Sequence, residues 1–316
     1  MVQMAAMKAV LVAVVGEPNA GKSTLLNAMV GEKVGIVSSK PNTTRVVVRG
    51  VVTEGEVQIV LMDTPGLNTS SKVFERRLVQ QARGALAEAD VALLVWEFPV
   101  VRGREKGVGK VVDSRAGEQL RTRVEELKAQ GARTVVVGLS KIDRVKDKKA
   151  LLPFLAEIAT WQKELGVAAV VPLFAPKGDG VKALVGELKR LAVAGPWLFP
   201  AGQATDMPLP LRLAELTREQ AMQLLEQELP YSVGVVTVLI EQNDDAPWLV
   251  RQEVLVSKEQ HKPMVLGAGG QMIKQIGMRA RKEMQGIVGA GVRLELNVRV
   301  EARWLEREEL WREMGY

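Results

Sequence analysis

The feature that most constrains the fold of this chain is a short segment near the N-terminus, where an apolar run ends at a glycine-rich loop. Residues 10–15 are apolar and mostly β-branched, which predicts a strand buried in a parallel sheet. Residues 16–23 fit the pattern G-x-x-x-x-G-K-[ST], and residues 23–30 have helical spacing. A strand, such a loop and a helix in this order predict an α/β domain with a phosphate-binding loop.

The chemistry of this loop indicates what it binds. Its glycines allow several backbone N–H groups to point at one anion, and the start of the helix adds a positive dipole end. Lys22 supplies a charge for the β- and γ-phosphates, and the hydroxyl of Ser23 is a hard ligand that suits Mg²⁺. The predicted contacts to the nucleotide in this loop are Gly16, Asn19, Ala20, Gly21, Lys22, Ser23 and Thr24.

A second element, Asp63-Thr64-Pro65-Gly66, follows the predicted strand 57–62. An acidic residue at the carboxyl end of a strand can hold Mg²⁺ through water, and the N–H of Gly66 can reach the γ-phosphate. At this distance from the phosphate-binding loop the tetrapeptide is a strong signal. We therefore predict Asp63 as part of the metal site and Gly66 as part of the catalytic site, together with Lys22.

Between these two elements, Pro41-Asn42-Thr43-Thr44-Arg45 forms a polar segment in which a switch loop would place a threonine hydroxyl on the metal. We predict Thr44 for this role, both as a metal ligand with Ser23 and Asp63 and as a catalytic residue, and Thr43 is the alternative. An ordinary turn capped by hydroxyl groups is also compatible with this segment.

The identity of the base rests on Ser140-Lys141-Ile142-Asp143, which follows the predicted strand 134–139. The carboxylate of Asp143 can accept two N–H bonds from the edge of guanine, whereas adenine has no matching pair of donors. Ser140, Lys141 and Asp143 are therefore predicted to bind the nucleotide, and GTP is favoured over ATP. An ordinary ATPase is the alternative, and it fails if GTP binds far more tightly than ATP.

The order of elements predicts a doubly wound α/β fold with a mostly parallel sheet. Further apolar runs read as strands and are separated by helical, charged segments. These runs are residues 46–52, 57–62, 91–96, 134–139 and 167–173. Residues 97–117 interrupt the alternation with Gly, Arg and Lys, and we interpret them as an extended loop.

Glycine and proline cluster between residues 195 and 210, which predicts a linker there. We expect a nucleotide-binding domain over residues 1–195, a linker over 196–210 and a second domain over 211–316 that ends in a helix. Spacing predicts helices at 211–229 and 271–286 and strands at 231–241, 249–257 and 292–300. The second domain is therefore a small α+β unit.

Composition excludes several kinds of chemistry. The chain has no cysteine, so disulfides, thiolate nucleophiles and cysteine zinc sites are ruled out, and the single histidine, His261, cannot build a metal cluster. We expect His261 at the surface or against a partner. No stretch approaches the roughly 18 to 20 apolar residues of a membrane span, so no transmembrane segment is expected.

Charge is distributed unevenly along the chain. The net charge is +6, yet residues 207–316 carry 14 Lys and Arg against 16 Asp and Glu. Within that part, six basic residues face only Glu259 across residues 258–282. Such a local basic patch is typical of a surface that meets phosphates, although a solvated helix face is the alternative.

With these motifs assembled, the sequence resembles the Era family of ribosome-associated GTPases over nearly its whole length. The resemblance rests on residues 16–24, 40–45, 63–66, 141–143 and 266–277. It implies a type II KH domain in the C-terminal half, with a G-x-x-G loop that lets a nucleic-acid backbone approach closely. The RNA-binding residues that it implies are Lys262, Gly267, Ala268, Gly269, Gly270, Lys274, Arg279, Arg281 and Lys282.

The resemblance also implies an activity and partners. Members hydrolyse GTP to GDP and phosphate with Mg²⁺, and they bind the 3′ end of small-subunit ribosomal RNA while small ribosomal subunits mature. We expect this chain to do the same, to meet proteins of the pre-ribosomal small subunit, and to be monomeric when free. Asn19 matches an asparagine that some of these GTPases use to hold K⁺. The expected location is a bacterial cytoplasm or a mitochondrial or plastid matrix.

Several positions depart from the family pattern. Ser140 replaces an asparagine, Ala268 and Gly269 replace a basic pair, and of the segment that supports guanine only Ala175 is carried over, through its backbone N–H. Leu67 stands where Ras-like GTPases place a glutamine that orients water, which predicts slow hydrolysis. The alternative function is therefore an RNA-binding structural assembly protein whose nucleotide domain is hydrolytically weak.

Overall fold

The structure is a computed structural model that describes residues 7–40, 43–65, 73–98, 100–102, 110–112, 115–145, 149, 151–243 and 245–314. The chain divides into two compact units. The first consists of Met1–Gly35, Val47–Asn68 and Val79–Thr205, and the second of Ile36–Val46, Thr69–Leu78 and Asp206–Tyr316. The boundary between the two units, between residues 205 and 206, lies inside the predicted linker 196–210. The domain limits at residues 195 and 211 stay a prediction.

The first unit alternates strands and helices. In chain order these are β1 (Lys8–Val15), α1 (Lys22–Val30), β2 (Val48–Glu54), β3 (Val57–Asp63), α2 (Val73–Glu88, which begins in the second unit), β4 (Val91–Glu97), β5 (Val100–Arg102), β6 (Lys110–Val112), α3 (Ala116–Ala129), β7 (Thr134–Ser140), α4 (Leu151–Trp161), β8 (Val167–Pro172), α5 (Val181–Arg190) and β9 (Val193–Ala194).

The main sheet has the strand order β2-β3-β1-β4-β7-β8, and β9 pairs with β1. The strands from β3 to β8 along this order run parallel, whereas β2 is antiparallel to β3 and β9 to β1. On one face, Ala13 and Leu94 pack in the same cluster as Leu120 of α3 and Phe154 of α4. On the other face, Gly50 lies directly under α1. The doubly wound α/β prediction is confirmed.

The prediction of an extended loop over residues 97–117 was wrong in part. β5 and β6 form an antiparallel pair, in which Val100 faces Val112 and Val101 faces Val111, and α3 begins at Ala116. Each strand is only three residues long, which is too short for an alternating pattern to be recognised in sequence. Residues 103–109 lie outside the described part of the chain.

The segment that follows β9 is held along β2 and β3 rather than spanning open space. The buried amide of Gln58 accepts hydrogen bonds from the backbone of Leu198 at 2.8 Å and Phe199 at 2.9 Å, and donates one to the carbonyl of Phe199. The indole of Trp197 donates to the carbonyl of Glu56 at 3.0 Å. The first unit therefore includes the N-terminal part of the predicted linker.

The second unit is an α+β fold with a three-stranded sheet in the order β10-β11-β12. β10 and β11 are antiparallel, and β11 and β12 are parallel. Its elements in chain order are α6 (Leu209–Leu224), α7 (Leu229–Ser232), β10 (Gly234–Glu241), β11 (Trp248–Val256), α8 (His261–Leu266), α9 (Gln271–Val288), β12 (Val292–Val300) and α10 (Glu308–Glu313).

Two predictions for this unit need correction. The helix expected over residues 211–229 ends at Leu224, because Leu225 is extended, and Pro230 lies in the separate short helix α7. His261 was expected at the surface, but only 5% of it is exposed. Within the described part of the chain, no helix is long and apolar enough to cross a membrane.

Candidate nucleotide site and nucleic-acid interface

The phosphate-binding loop connects β1 to α1 and is shaped by glycine. Gly16 has φ 149°, and a Cβ there would lie 2.2 Å from the carbonyl oxygen of Val95. Gly21 has φ 101° and precedes Lys22, the first residue of α1. At Gly16 only glycine is possible, because φ is positive and a backbone atom occupies the place of a side chain. At Gly21 the positive φ alone favours glycine. The loop thus follows the path that the motif predicts.

Lys22 is buried inside this loop, with 8% of its surface exposed. Its ammonium donates to the carbonyl oxygens of Gly16 and Glu17, both at 3.0 Å. Burial lowers the pKa of Lys22, and the nearby charges of Asp63 and Glu17 oppose that shift. A desolvated ammonium held only by neutral carbonyl groups and flanking acids would be stabilised further by a phosphate anion.

Two residues of the first unit that are predicted to bind the metal, Ser23 and Asp63, lie together. The hydroxyl of Ser23 donates to Oδ2 of Asp63 at 2.5 Å, and Asp63 ends β3 beside β1. A hydroxyl and a carboxylate this close are hard oxygen ligands that fit Mg²⁺. Within the described residues, no cluster of three or more His, Asp or Glu offers another metal site. Thr44 belongs to the second unit, and Gly66 and Leu67 lie outside the described residues.

The base-reading loop is attached to the phosphate-binding loop through Ser140. Its hydroxyl, in a residue only 8% exposed, donates to the carbonyl of Ala20 at 2.6 Å. Although serine is shorter than the asparagine of the family pattern, its hydroxyl therefore still reaches the phosphate-binding loop. Asp143 is exposed in the short 3₁₀ turn Ile142–Arg144, where its carboxylate is accessible to a base.

The loop after β8 joins the same edge of the sheet. The backbone N–H of Leu173 donates to Leu139 at 2.7 Å, and that of Ile142 donates to Leu173 at 3.4 Å. These bonds tie the base-reading loop to the turn Ala175–Lys177. Because the carboxyl ends of parallel strands meet at one edge, the phosphate-binding loop, Asp63, Asp143 and Ala175 gather there, all within the first unit.

In the second unit, the G-x-x-G loop lies between α8 and α9. Gly267, Gly269 and Gly270 all have positive φ, at 72°, 56° and 76°. A Cβ on Gly267 would lie 2.7 Å from the Cβ of Met272, so this position also lacks room for a side chain. Ala268 and Gly269 are exposed. The loop therefore presents backbone rather than side chains, as contact with a phosphate backbone requires.

Beside this loop, α9 and β12 border a groove of 280 Å³. Lys274 and Arg281 line it, which places two of the predicted RNA-binding cations at an apolar floor. Arg279 and Lys282 are exposed elsewhere on α9, and Lys262 is exposed on α8. The residues lining the groove are Ile273, Lys274, Gly277, Met278, Arg281, Leu294 and Leu296.

Sequence reasoning missed Gly277 as a member of this groove. A Cβ at Gly277 would lie 3.3 Å from Cδ1 of Leu296, so glycine allows α9 to approach β12 closely. The sequence contains one signal for this role: Gly277 lies three residues after Lys274 and four before Arg281, and such spacing puts all three on one face of a helix. Leu294 and Leu296 follow from the alternation along β12.

The segment that contains the predicted switch is built into the second unit through α6. Arg218, fully buried, pairs with Glu215 at 2.5 Å and donates to the carbonyl of Thr43 at 2.6 Å. The backbone N–H of Val37 donates to Glu219 at 2.8 Å. Polar residues on every side of α6 are thus buried, which an amphipathic pattern does not predict.

Arg45 adds a second attachment. Its guanidinium donates to the carbonyls of Val233 and Tyr231, both at 2.7 Å, and lies 5.6 Å from the centre of the Trp304 ring. Further along the chain, the guanidinium of Arg77 lies 5.2 Å from the Trp311 ring. Arg45 and Arg77 therefore attach their segments to the unit that contains the G-x-x-G loop.

Comparison with known proteins decides the family. Residues 11–141 match the family described as "50S ribosome-binding GTPase", and residues 223–305 match the KH domain family. GTPase Era from Maricaulis maris is 39% identical over 96% of this chain and 95% of its own length. The chain belongs to the Era family of GTPases. Era from Aquifex aeolicus is 38% identical over 98% of this chain and 99% of its own length.

Solved Era structures are similar as well. One is a complex of Era with MgGDPNP and nucleotides 1506–1542 of 16S ribosomal RNA. Its Era chain is 37% identical in sequence to this chain, with a TM-score of 0.82, and the match covers 98% of this chain and 99% of the Era chain. A point variant of Aquifex aeolicus Era bound to GDP and AlF4⁻ covers the same shares at 37% identity, with a TM-score of 0.83. As a member of the Era family this chain is a GTPase, which decides between the two predicted functions in favour of the enzyme.

Proposed function

We propose that this GTPase is an assembly factor of the small ribosomal subunit that binds the 3′-end region of 16S ribosomal RNA through its KH domain. The observation that carries the proposal is the groove between α9 and β12, where Lys274 and Arg281 flank an apolar floor beside an exposed G-x-x-G loop. This combination suits unstacked bases on the floor and phosphates at the rim. An Era relative has been solved with this part of 16S ribosomal RNA.

The nucleotide site supports a GTP-driven switch. Lys22 and the backbone of the phosphate-binding loop bind the β- and γ-phosphates, and Asp143 selects guanine. Ser23 and Asp63, together with the predicted ligand Thr44, would hold Mg²⁺, which would supply positive charge for the phosphate oxygens. Leu67 cannot orient water, so unassisted turnover is slow. Asn19, in the left-handed conformation at φ 64°, is the proposed contact of K⁺ beside the phosphates.

The remaining partners are proposals from the family resemblance. Proteins of the pre-ribosomal small subunit meet the bound GTPase, and the free protein is monomeric. Its location in a bacterial cytoplasm or an organelle matrix stays a prediction.

The test is a matched pair of substitutions at the two ends of α9. Gly270 caps the N-terminus at φ 76° and Gly289 the C-terminus at φ 69°, and a side chain added at either position would have no neighbouring atom within 4 Å of its Cβ. Gly270→Asp places an anion where we expect the RNA backbone, so binding of an RNA with the 3′-end sequence should fall at least about tenfold. Gly289→Asp is the control, because it introduces the same backbone strain and the same charge at the other end of α9, away from the G-x-x-G loop.

Fluorescence anisotropy with labelled RNA gives the affinities, and GTP binding should be unchanged in both variants. Equal RNA affinity in Gly270→Asp and Gly289→Asp would contradict the proposed interface.

A further inference from the structure

Two cations flank the guanine-reading carboxylate in sequence, and a single acid holds them both. The ammonium of Lys141 lies 2.6 Å from Oε2 of Glu97. The guanidinium of Arg144 forms an ion pair with Oε1 of the same carboxylate. Asp143 lies between Lys141 and Arg144 in the chain. Glu97 is outside the recognised motifs, at the end of the neighbouring strand β4.

The sheet fixes the position of Glu97. It stands opposite Ser140 in the parallel ladder of β4 and β7, and the next N–H, that of Phe98, donates to the carbonyl of Ser140 at 3.0 Å. Glu97 is therefore anchored directly beside the start of the base-reading loop. Its carboxylate reaches that loop from a rigid element, as a positioning group must.

The loop itself needs support. Lys141 adopts the left-handed conformation, at φ 57° and ψ 35°, which costs a residue with a side chain about 1–2 kcal/mol. The turn Ile142–Arg144 that follows is a single 3₁₀ turn with Asp143 exposed. Ion pairs at both ends of this short segment hold it in the conformation that presents Asp143.

Electrostatics gives Glu97 a second effect. Without it, the charges of Lys141 and Arg144 would be free to pair with the adjacent carboxylate of Asp143, and such a pair competes with the N–H groups of guanine. The side chains of Lys141 and Glu97 are 28% and 34% exposed. At this partial burial the attraction is screened less than at an open surface.

We propose that Glu97 is a positioning residue for guanine recognition, which occupies Lys141 and Arg144 so that the carboxylate of Asp143 stays available to the base. The effect acts on the base rather than on the phosphates. It is independent of the RNA-binding function proposed above, because nucleotide binding alone tests it.

The experiment compares GDP with IDP, whose base lacks the exocyclic amino group that Asp143 would accept from. In the full-length protein, Glu97→Gln should weaken GDP binding about 3- to 5-fold, the size expected for a partly exposed ion pair. IDP binding should weaken less, so the GDP-to-IDP affinity ratio falls. Adding Arg144→Gln to Glu97→Gln removes one competing cation and should restore part of the ratio.

Glu125→Gln is the matched control, because Glu125 forms a surface ion pair with Arg121 at 3.0 Å on α3. It should leave both affinities unchanged. Equal losses for GDP and IDP in Glu97→Gln would show a merely structural role and overturn the proposal. No change in either affinity, or no recovery on removing Arg144, would overturn it as well.

Discussion

At the scale of single residues, Ser140 shows how a departure from a family pattern can keep part of its function. The hydroxyl joins two loops that are 120 residues apart in the chain, through its bond to Ala20. It also lies 3.3 Å from the carbonyl of Trp96. The position therefore stabilises the arrangement of the phosphate-binding loop and the predicted base-binding loop.

Ser140→Ala should weaken GDP binding by about tenfold, because removing a buried donor leaves carbonyl groups without a partner at a cost of roughly 1–3 kcal/mol. Stopped-flow release of a fluorescent GDP analogue measures the effect, which should appear mainly as faster dissociation. Ser257→Ala, a matched change in the second unit, should leave release unaltered. If both variants release GDP at the wild-type rate, the bond to Ala20 does not contribute.

The lowered pKa of Lys22 predicts a pH dependence of nucleotide binding. Only the charged ammonium attracts phosphate, and a bound phosphate raises the pKa of Lys22 again. Affinity is therefore full below the pKa of the free protein and falls as the pH rises through it, with proton uptake on binding. Isothermal calorimetry of GDP in buffers of different ionisation enthalpy measures this uptake.

The N1–H of guanine also titrates at alkaline pH, so a control must separate the two groups. In the Lys22→Gln variant, only the pH dependence of GDP affinity that comes from titration of guanine should remain. An unchanged pH profile in Lys22→Gln, or proton release on GDP binding by the unaltered protein, would contradict the role of Lys22.

At the scale of elements, α9 serves two surfaces at once. Ile276, Ala280 and Met284 are buried against α6 and the three-stranded sheet, while Lys274 and Arg281 line the groove. Gly277 lies between these faces, where its missing side chain sets the depth of the groove. The helix therefore contributes both to the stability of the second unit and to its proposed RNA contact.

Gly277→Val should reduce RNA affinity at least about tenfold, because the added methyl groups enter the groove and press on Leu296, at a packing cost of roughly 1–3 kcal/mol. Gly286→Val is a matched control on the same helix, since nothing lies within 4 Å of a Cβ there. Circular dichroism should show both variants folded. Equal RNA affinities in the two variants would exclude a groove that accepts bases.

At the scale of the whole molecule, the boundaries of the motifs and of the compact units differ. Residues 36–46 and 69–78 belong to the second unit, although the rest of that unit begins more than 100 residues later in the sequence, at Asp206. The buried guanidinium of Arg218 and the carboxylate of Glu219 bind backbone groups of the first of these segments. The second unit is therefore incomplete when it is cut from the chain at residue 206.

Excised residues 206–316 should be less stable than the same unit in the full chain, because Arg218 and Glu219 lose buried partners and each loss costs roughly 1–3 kcal/mol. Urea unfolding followed by tryptophan fluorescence measures the difference. Replacing the buried pair with Glu215→Leu and Arg218→Met should stabilise the excised piece more than the full chain. Equal unfolding midpoints for the excised and intact unit would contradict this prediction.

The sequence alone determined the features that depend on neighbours in the chain. The phosphate-binding loop at residues 16–23, the predicted guanine contact of Asp143, the strand Val292–Val300 and the G-x-x-G loop all follow from local spacing, since period, glycine placement and charge act over a few residues. Family resemblance extended these motifs to a GTPase of the Era family, and the comparisons confirm it.

Only the tertiary structure decided which distant residues meet. It placed the segment of Thr43 and Thr44 in the second unit, set Glu97 against Lys141 and Arg144, and brought Gly277 to Leu296. These contacts depend on sheet register and on burial of charged groups between elements far apart in sequence. Local sequence patterns predict neither of these. The phosphate-binding loop could therefore be predicted in advance, whereas Glu97, which we propose positions the base-reading loop, and Gly277 in the groove could not.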